Sequence, residues 1–565
     1  MNKVKKYIKK YRESKERGRD YLKWLFSYTK PYMGRIVLLM VFSIVTTYVG
    51  IAYSVASKQV IDMAGDGHIT IRSIIAFLLL LFIMLAGHPI IDLFTAMLYE
   101  KYTFGIRKQV YDKLIRSIWL GTQKFHTGDM MTRMTSDAGN IANGMVNVIP
   151  NIFVLLIQLV MVFFILYFYS PILAVVALFL TPLGIVGAYI LGSRLKMYQI
   201  KVQESETAYR SFIQESLANI LIVKAFSSED RFSEELTELR EKRFSWVWKK
   251  SKLSSASNFV MNGTFQLGYA FAFVYAAGLI AEGKITFGTM TLFLTLFGRV
   301  QAPIASLAQQ LPGVVSIFAS AGRVMDIQDI PLEEHKDDTN IDGTFGVSVD
   351  GITFAYDRDN IFTNVSFDIK PGEFVGIMGK SGIGKTTLIR LLMNFIIPSS
   401  GSIKYYDTKN HIMDLSATVR EYISYVPQGN TLFSGTIRKN IQIGKEDATD
   451  EEIWEALDLA VCKEFIEKLP EGLDTVIGEK GMGLSEGQAQ RIGLARALIR
   501  KSNFIILDEA TSALDENTES QLLKQISEMK PRPTCILITH RKSVLDYCNR
   551  EIVLSDGNLK VKDIG

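Results

Sequence analysis

Six long apolar runs between residues 36 and 309 constrain this chain more than any other feature. The first, Ile36 to Ala56, holds about twenty residues without a charge. At roughly 1.5 Å rise per residue, a helix of that length crosses the roughly 30 Å of bilayer hydrocarbon. Comparable runs lie at about 73–98, 149–169, 172–193, 259–281 and 289–309. One such run suits the buried helix of a soluble protein as well; six in succession read as six membrane spans.

The connections set the orientation. Residues 1–20 carry nine Lys or Arg against three Asp or Glu, and the long stretches near 99–148 and 194–258 are also rich in Lys and Arg, which marks them as cytoplasmic. The alternate connections are short and face outward. The first run begins only after about 35 residues and is of full spanning length, which argues against a secretory leader. Ahead of it, Tyr21 to Tyr28 has the aromatic and cationic mix of a short helix lying in the interface, just before Pro31. The two long stretches repeat apolar residues at helical spacing, Ile106, Val110 and Leu114 in one and Phe212, Leu217 and Leu221 in the other. They are expected to be membrane helices prolonged into the cytosol, each with a turn at its tip able to dock on another domain.

Beyond Gln309 the character changes. Residues about 323–345 are charged and include Pro331, Asp337 and Asp338, as a linker would, and then β-type runs alternate with helical patterns in the grammar of an α/β domain. The expected layout is an N-terminal segment and interfacial helix over 1–34, a membrane domain over 35–322, a linker over 323–345 and an α/β domain over 346–565. With 63 Lys and Arg against 58 Asp and Glu the net charge is only +5, which excludes a polybasic nucleic-acid binder. Cys462, Cys535 and Cys548 follow no metal-ligand spacing and are too few for a disulfide scaffold, which suits a cytosolic C-terminal half.

The α/β half carries the chemistry. The strand-like Phe374 to Met378 runs into Gly379-Lys-Ser381-Gly382-Ile-Gly384-Lys385-Thr386-Thr387, a GxxxxGK[ST] loop between a strand and a helix. Its glycines let backbone N–H groups turn around a phosphate, the following helix presents its positive end, Lys385 reaches the terminal phosphates and the Thr386 hydroxyl can ligate Mg²⁺. Gly379, Ser381, Gly382, Gly384 and Thr387 complete the expected cradle. A second strand, Phe504 to Leu507, ends in Asp508 and Glu509. Asp508 is placed to hold the metal, and Glu509 to polarise a water toward the γ-phosphate.

With these motifs the chain resembles the ATP-binding cassette (ABC) transporters, and within them the exporter-type half-transporters that fuse six membrane helices to one nucleotide-binding domain. The resemblance spans essentially the whole chain. Leu484-Ser485-Glu486-Gly487-Gln488 is similar to the family's LSGGQ signature, Gln428 to the Q-loop glutamine, Ser512-Ala-Leu-Asp515 to the D-loop, His540 to the switch histidine and Tyr356 to the adenine-stacking aromatic. Two membrane-half stretches, Thr127 to Asp137 and Gln214 to Phe226, resemble the first and second intracellular loops of these exporters. The resemblance implies ATP and Mg²⁺ as cofactors, catalytic roles for Glu509, His540 and Gln428, and Thr386, Gln428 and Asp508 around the metal. It also implies nucleotide contacts by Tyr356, Ser485, Gly487, Gln488 and Asp515, and an integral multi-pass protein of a bacterial plasma membrane with its nucleotide-binding domain in the cytoplasm.

Ser485 to Gln488 has the spacing of a capping box and is expected to open the helix that runs from Ala489, making its N-terminus an anion site. In the family that end faces ATP held by a second domain, so a chain with one such domain is expected to work as a dimer, a homodimer being favoured over pairing with another half-transporter. Glu486 stands where the family most often has glycine. In the membrane half, His88, Pro89 and Asp92 lie late in the second span, where ionisable residues are functional candidates or wetted residues near the inner face, and Asn151, Gln158, Asn262 and Gln266 can line a path or bridge helices. The expected function is ATP-driven export or flipping of a hydrophobic, amphipathic or peptide substrate by alternating access. A channel, regulator or importer on the same scaffold is the alternative. Expected partners are a second half-transporter, membrane lipid and the transported small molecule, lipid or peptide, with no nucleic acid.

Overall fold

The computed structural model describes residues 18–336, 341–356, 360–478, 481–555 and 558–564. Two compact units form. One comprises the chain up to Asp112 together with Thr127–Asp329, and the other comprises Lys113–His126 together with the chain from Ile330 onward.

All six apolar runs lie in long helices: α1 (Met33–Gly65), α2 (Ile71–Arg116), α3 (Ile149–Tyr169), α4 (Pro171–Ala218), α5 (Glu229–Ala281) and α6 (Phe287–Gln328). Four helical stretches, Gly18–Gly65, Ile71–Arg116, Thr127–Tyr169 and Glu229–Ala281, are long and apolar enough to cross a membrane, counted among the described residues. The helices carrying the other two runs, α4 and α6, are 48 and 42 residues long. Small side chains sit at the contacts, as at Gly50, Ser54, Gly268, Ala272 and Ala276, where close backbone approach lets apolar helices associate without a hydrophobic driving force. Large apolar side chains such as Phe82, Phe164 and Phe168 remain outside, as lipid contact requires.

Residues 18–29 are helical, as expected for the interfacial segment. Tyr28 meets Tyr102 of α2 edge to face, with centroids 5.2 Å apart, and the Thr29 hydroxyl lies 2.8 Å from that of Tyr102. The long stretches are helical extensions, as their spacing implied. Ile106 and Val110 are fully buried, whereas Leu217 and Leu221 are exposed. Near the tip of the second extension a short helix, Ile220–Ala225, holds no buried residue.

The linker differs from its expected bounds. The chain stays helical through Gln328, because the charges read as linker are partnered within the first unit. Arg323 grips the buried Asp137 through two nitrogens, one at 2.8 Å, and Asp326 pairs with Arg133 at 3.2 Å. Asp337 and Asp338 lie outside the described residues.

The second unit holds β1 (Phe345–Ala355), β2 (Asn360–Ile369), β3 (Phe374–Met378), β4 (Ser400–Asp407), β5 (Ile412–Asp414), β6 (Ile423–Val426), β7 (Phe504–Asp508), β8 (Thr534–Ile538), β9 (Arg550–Ser555) and β10 (Asn558–Asp563). One sheet is antiparallel, in the order β2-β1-β4-β5; the largest runs β10-β9-β3-β8-β7-β6. In the latter β3 pairs in parallel with β8 and β9, and β7 with β8 and β6. Every residue of β7 and β8 is buried, which is why these strands read as unbroken apolar runs instead of alternating ones. The sheet brings the C-terminal ends of β3, β7 and β8 side by side, and the site forms there.

Candidate nucleotide site

From β3 the chain enters the loop 379–384 and then α7 (Lys385–Leu392). Gly384 caps α7 at φ +109°, a conformation that disfavours side chains, and a Cβ there would come within 2.6 Å of Ile361. No side chain caps α7, so the N–H groups of its first turn are left to a ligand, which is the arrangement that binds phosphate. The Lys385 ammonium donates to the Gly379 carbonyl at 2.8 Å. Burial pulls Lys385 below the ordinary lysine range, against the opposing influence of Glu509 and Asp508.

Asp508 ends β7 only 1% exposed; Thr386 and Tyr425 reach its carboxylate, and among the described residues no cation pairs with it. Burial raises its pKa, and the neighbouring Thr386 hydroxyl and Glu509 modify the effect. A buried carboxylate so placed is costly unless a cation neutralises it. Among the described residues no cluster of three or more carboxylate, His or Cys side chains surrounds it. Such a donor set fits Mg²⁺, which takes one or two protein ligands and completes its shell with phosphate and water oxygens.

Glu509 follows at φ +50°, unusual for a residue with a side chain, and its N–H bonds the Ile538 carbonyl at 3.1 Å. One carboxylate oxygen accepts from the Gln428 amide nitrogen at 2.6 Å, which leaves the Gln428 amide oxygen for a metal. The other lies 3.0 Å from His540 Nε2, and that same nitrogen is 3.2 Å from Lys385 Nζ. A single ring nitrogen cannot both accept from an ammonium and donate to a carboxylate. His540 must therefore choose between Lys385 and Glu509, and the choice depends on its proton.

Tyr356, just past β1, is 41% exposed, meets Phe354 edge to face at 5.0 Å and accepts a 3.0 Å hydrogen bond from Arg390. One ring face can thus take a base. The signature forms its own corner. Ser485 caps α8 (Glu486–Leu498), its hydroxyl accepting from the Gln488 N–H while the Gln488 side chain accepts from the Ser485 N–H. The capping box is as the spacing implied, but the helix starts at Glu486, three residues earlier than Ala489. Gln488 is occupied by the cap, and the Ser485 hydroxyl keeps its own proton to donate. A Cβ on Gly487 would sit 2.9 Å from the Ala513 carbonyl, so only glycine lets α8 approach the D-loop this closely. Asp515 caps α9 (Glu516–Ser527), both its oxygens taken by Thr518 at 3.0 and 2.7 Å. Among the described residues no hydrogen bond joins Ser485, Gly487 or Gln488 to the P-loop.

Three further residues act here that no local sequence motif marks. Gln490 bonds Ser512 at 3.3 Å and accepts from the Ala513 N–H at 3.1 Å, while Arg541 donates to the carbonyls of Ser512 and Leu514 at 3.0 and 2.9 Å. The D-loop is thus clasped between the signature helix and the residue after His540. The third, Arg390, joins Tyr356 to the first loop tip.

The sequence matches the ABC transporter transmembrane region family over residues 36–304 and the ABC transporter family over 362–512. The chain belongs to the ABC transporters. It is 29% identical to an ATP-dependent lipid A-core flippase of Syntrophus aciditrophicus, over 81% of this chain and 77% of that one. Against an ABC transporter ATP-binding protein of Bacillus subtilis it is 27% identical, over 95% and 90% of the two chains. Its fold matches a bacterial Atm1-family ABC exporter solved with ATP bound, at a TM-score of 0.78 and 23% identity over 95% of both chains. As an ABC transporter of exporter type this chain is an ATP-binding ATPase coupled to transport, integral to a bacterial plasma membrane with its nucleotide-binding domain in the cytoplasm.

Proposed function

We propose that two copies of this chain form an Mg²⁺-dependent pump that moves an amphipathic, hydrophobic or peptide substrate out of the membrane or cytoplasm. The buried Asp508 carboxylate beside Thr386, with no cation paired to it among the described residues, carries the metal assignment. When bound, Mg²⁺ would neutralise phosphate charge. Lys385 and the first turn of α7 would hold the phosphates, Thr386, Asp508 and the Gln428 oxygen would hold the metal, Tyr356 would stack the base and Asp515 would support the D-loop. Glu509, fixed between Gln428 and His540, orients the attacking water and takes its proton.

The dimer rests on two observations. Among the described residues no hydrogen bond joins the capped signature helix to the P-loop of its own chain, and its Ser485 hydroxyl keeps a proton for a phosphate supplied elsewhere. The tip of the second loop exposes Leu221 and Phe226 at 76% and 75%, outside any apolar run that lipid would cover. Ser485 and Gly487 keep the donor and the close turn that phosphate binding needs, which favours a homodimer despite Glu486. The test is transport into sealed vesicles carrying this chain alone with Mg·ATP on one side. Accumulation against a gradient supports the pump, whereas equilibration that stops at equal concentrations marks a channel.

A further inference from the structure

Within the first unit a cavity of about 400 Å³ opens among the membrane helices. Its polar lining comes from Ser43, Thr46 and Thr47 of α1, His88 of α2, Asn151 and Gln158 of α3, and Arg299 of α6. His88, Asn151 and Gln158 stand out in the sequence as polar residues at membrane depth. Arg299 does not, because one charge disappears in the average over 289–309.

Arg299 decides the chemistry. A permanent cation within a spanning helix is expensive and is retained where something uses it. Gly50 makes room for it, since a Cβ at that position would lie 3.0 Å from the guanidinium. Among the described residues no carboxylate lines the cavity and Arg299 takes part in no ion pair. The neutral groups around it divide by role. The Ser43 and Thr47 hydroxyls spend their protons on carbonyls one turn back, at 2.9 and 2.8 Å. Asn151, Gln158 and His88 make no hydrogen bond among the described residues, so two amide groups and a ring nitrogen remain as donors beside the cation. Met84 and Val154 add apolar wall. Donors and one uncompensated positive charge next to apolar surface match a ligand with an anionic head and an apolar body.

We propose that this cavity seats the anionic head group, phosphate or carboxylate, of an amphiphilic substrate, with Arg299 as its counter-ion. The assignment rests on the transport reading and narrows its substrate class. The test uses the full-length protein in a neutral detergent and measures equilibrium binding of radiolabelled decyl phosphate. Saturable binding is expected, displaced by decanoate and not by decyltrimethylammonium or decyl maltoside. Arg299→Gln should weaken it about tenfold or more, with Arg299→Lys staying within about threefold, as loss of a charge-assisted contact implies. Gln158→Glu, which sets a carboxylate into the same cavity, should weaken it too, and this arm decides if Arg299→Gln does not fold. Equal displacement by the cationic analogue, or unchanged affinity in folded Arg299→Gln and Gln158→Glu, overturns the proposal. Inorganic phosphate competing as strongly as decyl phosphate overturns the amphiphile in favour of a free anion. Failure of the pump reading shows separately, as absent Mg·ATP turnover in the wild-type chain, because the binding measurement needs no ATP.

Discussion

The guanidinium of Arg390 lies 4.7 Å from the centre of the Trp119 ring while the same side chain donates to the Tyr356 hydroxyl. Trp119 begins the short helix Trp119–Thr122 at the tip of the first loop, and its ring also stands 6.3 Å from Phe395. The backbone joins in, with the Ile118 N–H bonded to the Pro331 carbonyl at 3.0 Å. A loop that leaves the first unit at Asp112 is thus tied to the ring assigned to the nucleotide base through one arginine. Arg390→Met should free Tyr356 and weaken ATP binding about three- to tenfold, the worth of one hydrogen bond. A fluorescent-ATP titration measures it, and wild-type affinity would show that Tyr356 needs no support.

Glu509 separates binding from turnover. Glu509→Gln keeps the P-loop, Lys385 and Asp508 but removes the carboxylate proposed to accept the water's proton. ATP affinity should stay near wild type while hydrolysis falls about 10²- to 10⁴-fold. Comparable turnover in a variant shown to bind Mg·ATP would remove Glu509 from the mechanism.

The metal role proposed for Asp508 comes with a stability cost. Burial raises its folded pKa above the unfolded value, so the folded state holds the proton more tightly. That contribution is fully present below the unfolded pKa and is lost as pH rises through the folded one, leaving a buried, unpaired charge at neutral pH. Asp508→Asn should therefore stabilise the nucleotide-free protein by about 1–3 kcal/mol at neutral pH. It should also abolish the extra stability that Mg²⁺ adds to ATP. Thermal unfolding with and without Mg²⁺ measures both, and a lower Tm for the nucleotide-free variant would contradict the account.

The clasp around the D-loop has its own energetic signature. Arg541 pairs at 3.0 Å with Glu519, which is 2% exposed and has a second oxygen without a partner. Arg541→Gln strands that carboxylate and should cost about 2 kcal/mol, less than a fully buried pair because the arginine is partly exposed. Adding Glu519→Gln should recover part of the loss. A double-mutant cycle by thermal unfolding checks this, and strict additivity would mean the two side chains do not act together.

What the sequence disclosed follows from how local each signal is. The P-loop, the strand ending in Asp508-Glu509 and the Ser485 to Gln488 box are set by contiguous residues, because tight turns, strand ends and helix caps are built from neighbours. The arginines are not. Arg390 and Arg541 act on residues far away in the chain, and nothing beside them marks their targets. Arg323 and Asp326 look like linker charges in sequence for the same reason, since only the fold reveals that Asp137 and Arg133 hold them in a helix. Arg299 was hidden differently, by the averaging that makes membrane runs visible in the first place.

The exposed tip of the second loop tests the dimer. Leu221 is 76% exposed in the single chain, so Leu221→Asp should change its intrinsic stability by no more than about 0.5 kcal/mol. If the tip seats in a partner copy, the same substitution buries an unpaired carboxylate there and should weaken association or coupling strongly. The expected result is an unchanged Tm at low protein concentration together with loss of most Mg·ATP hydrolysis at concentrations where the wild type is dimeric. Ser485→Ala, which removes a phosphate donor from both composite sites at once, should lower hydrolysis without lowering the dimer fraction. Full hydrolysis by Leu221→Asp would place the tip outside any interface, and a lone chain that stays monomeric until a different half-transporter is added would rule out the homodimer.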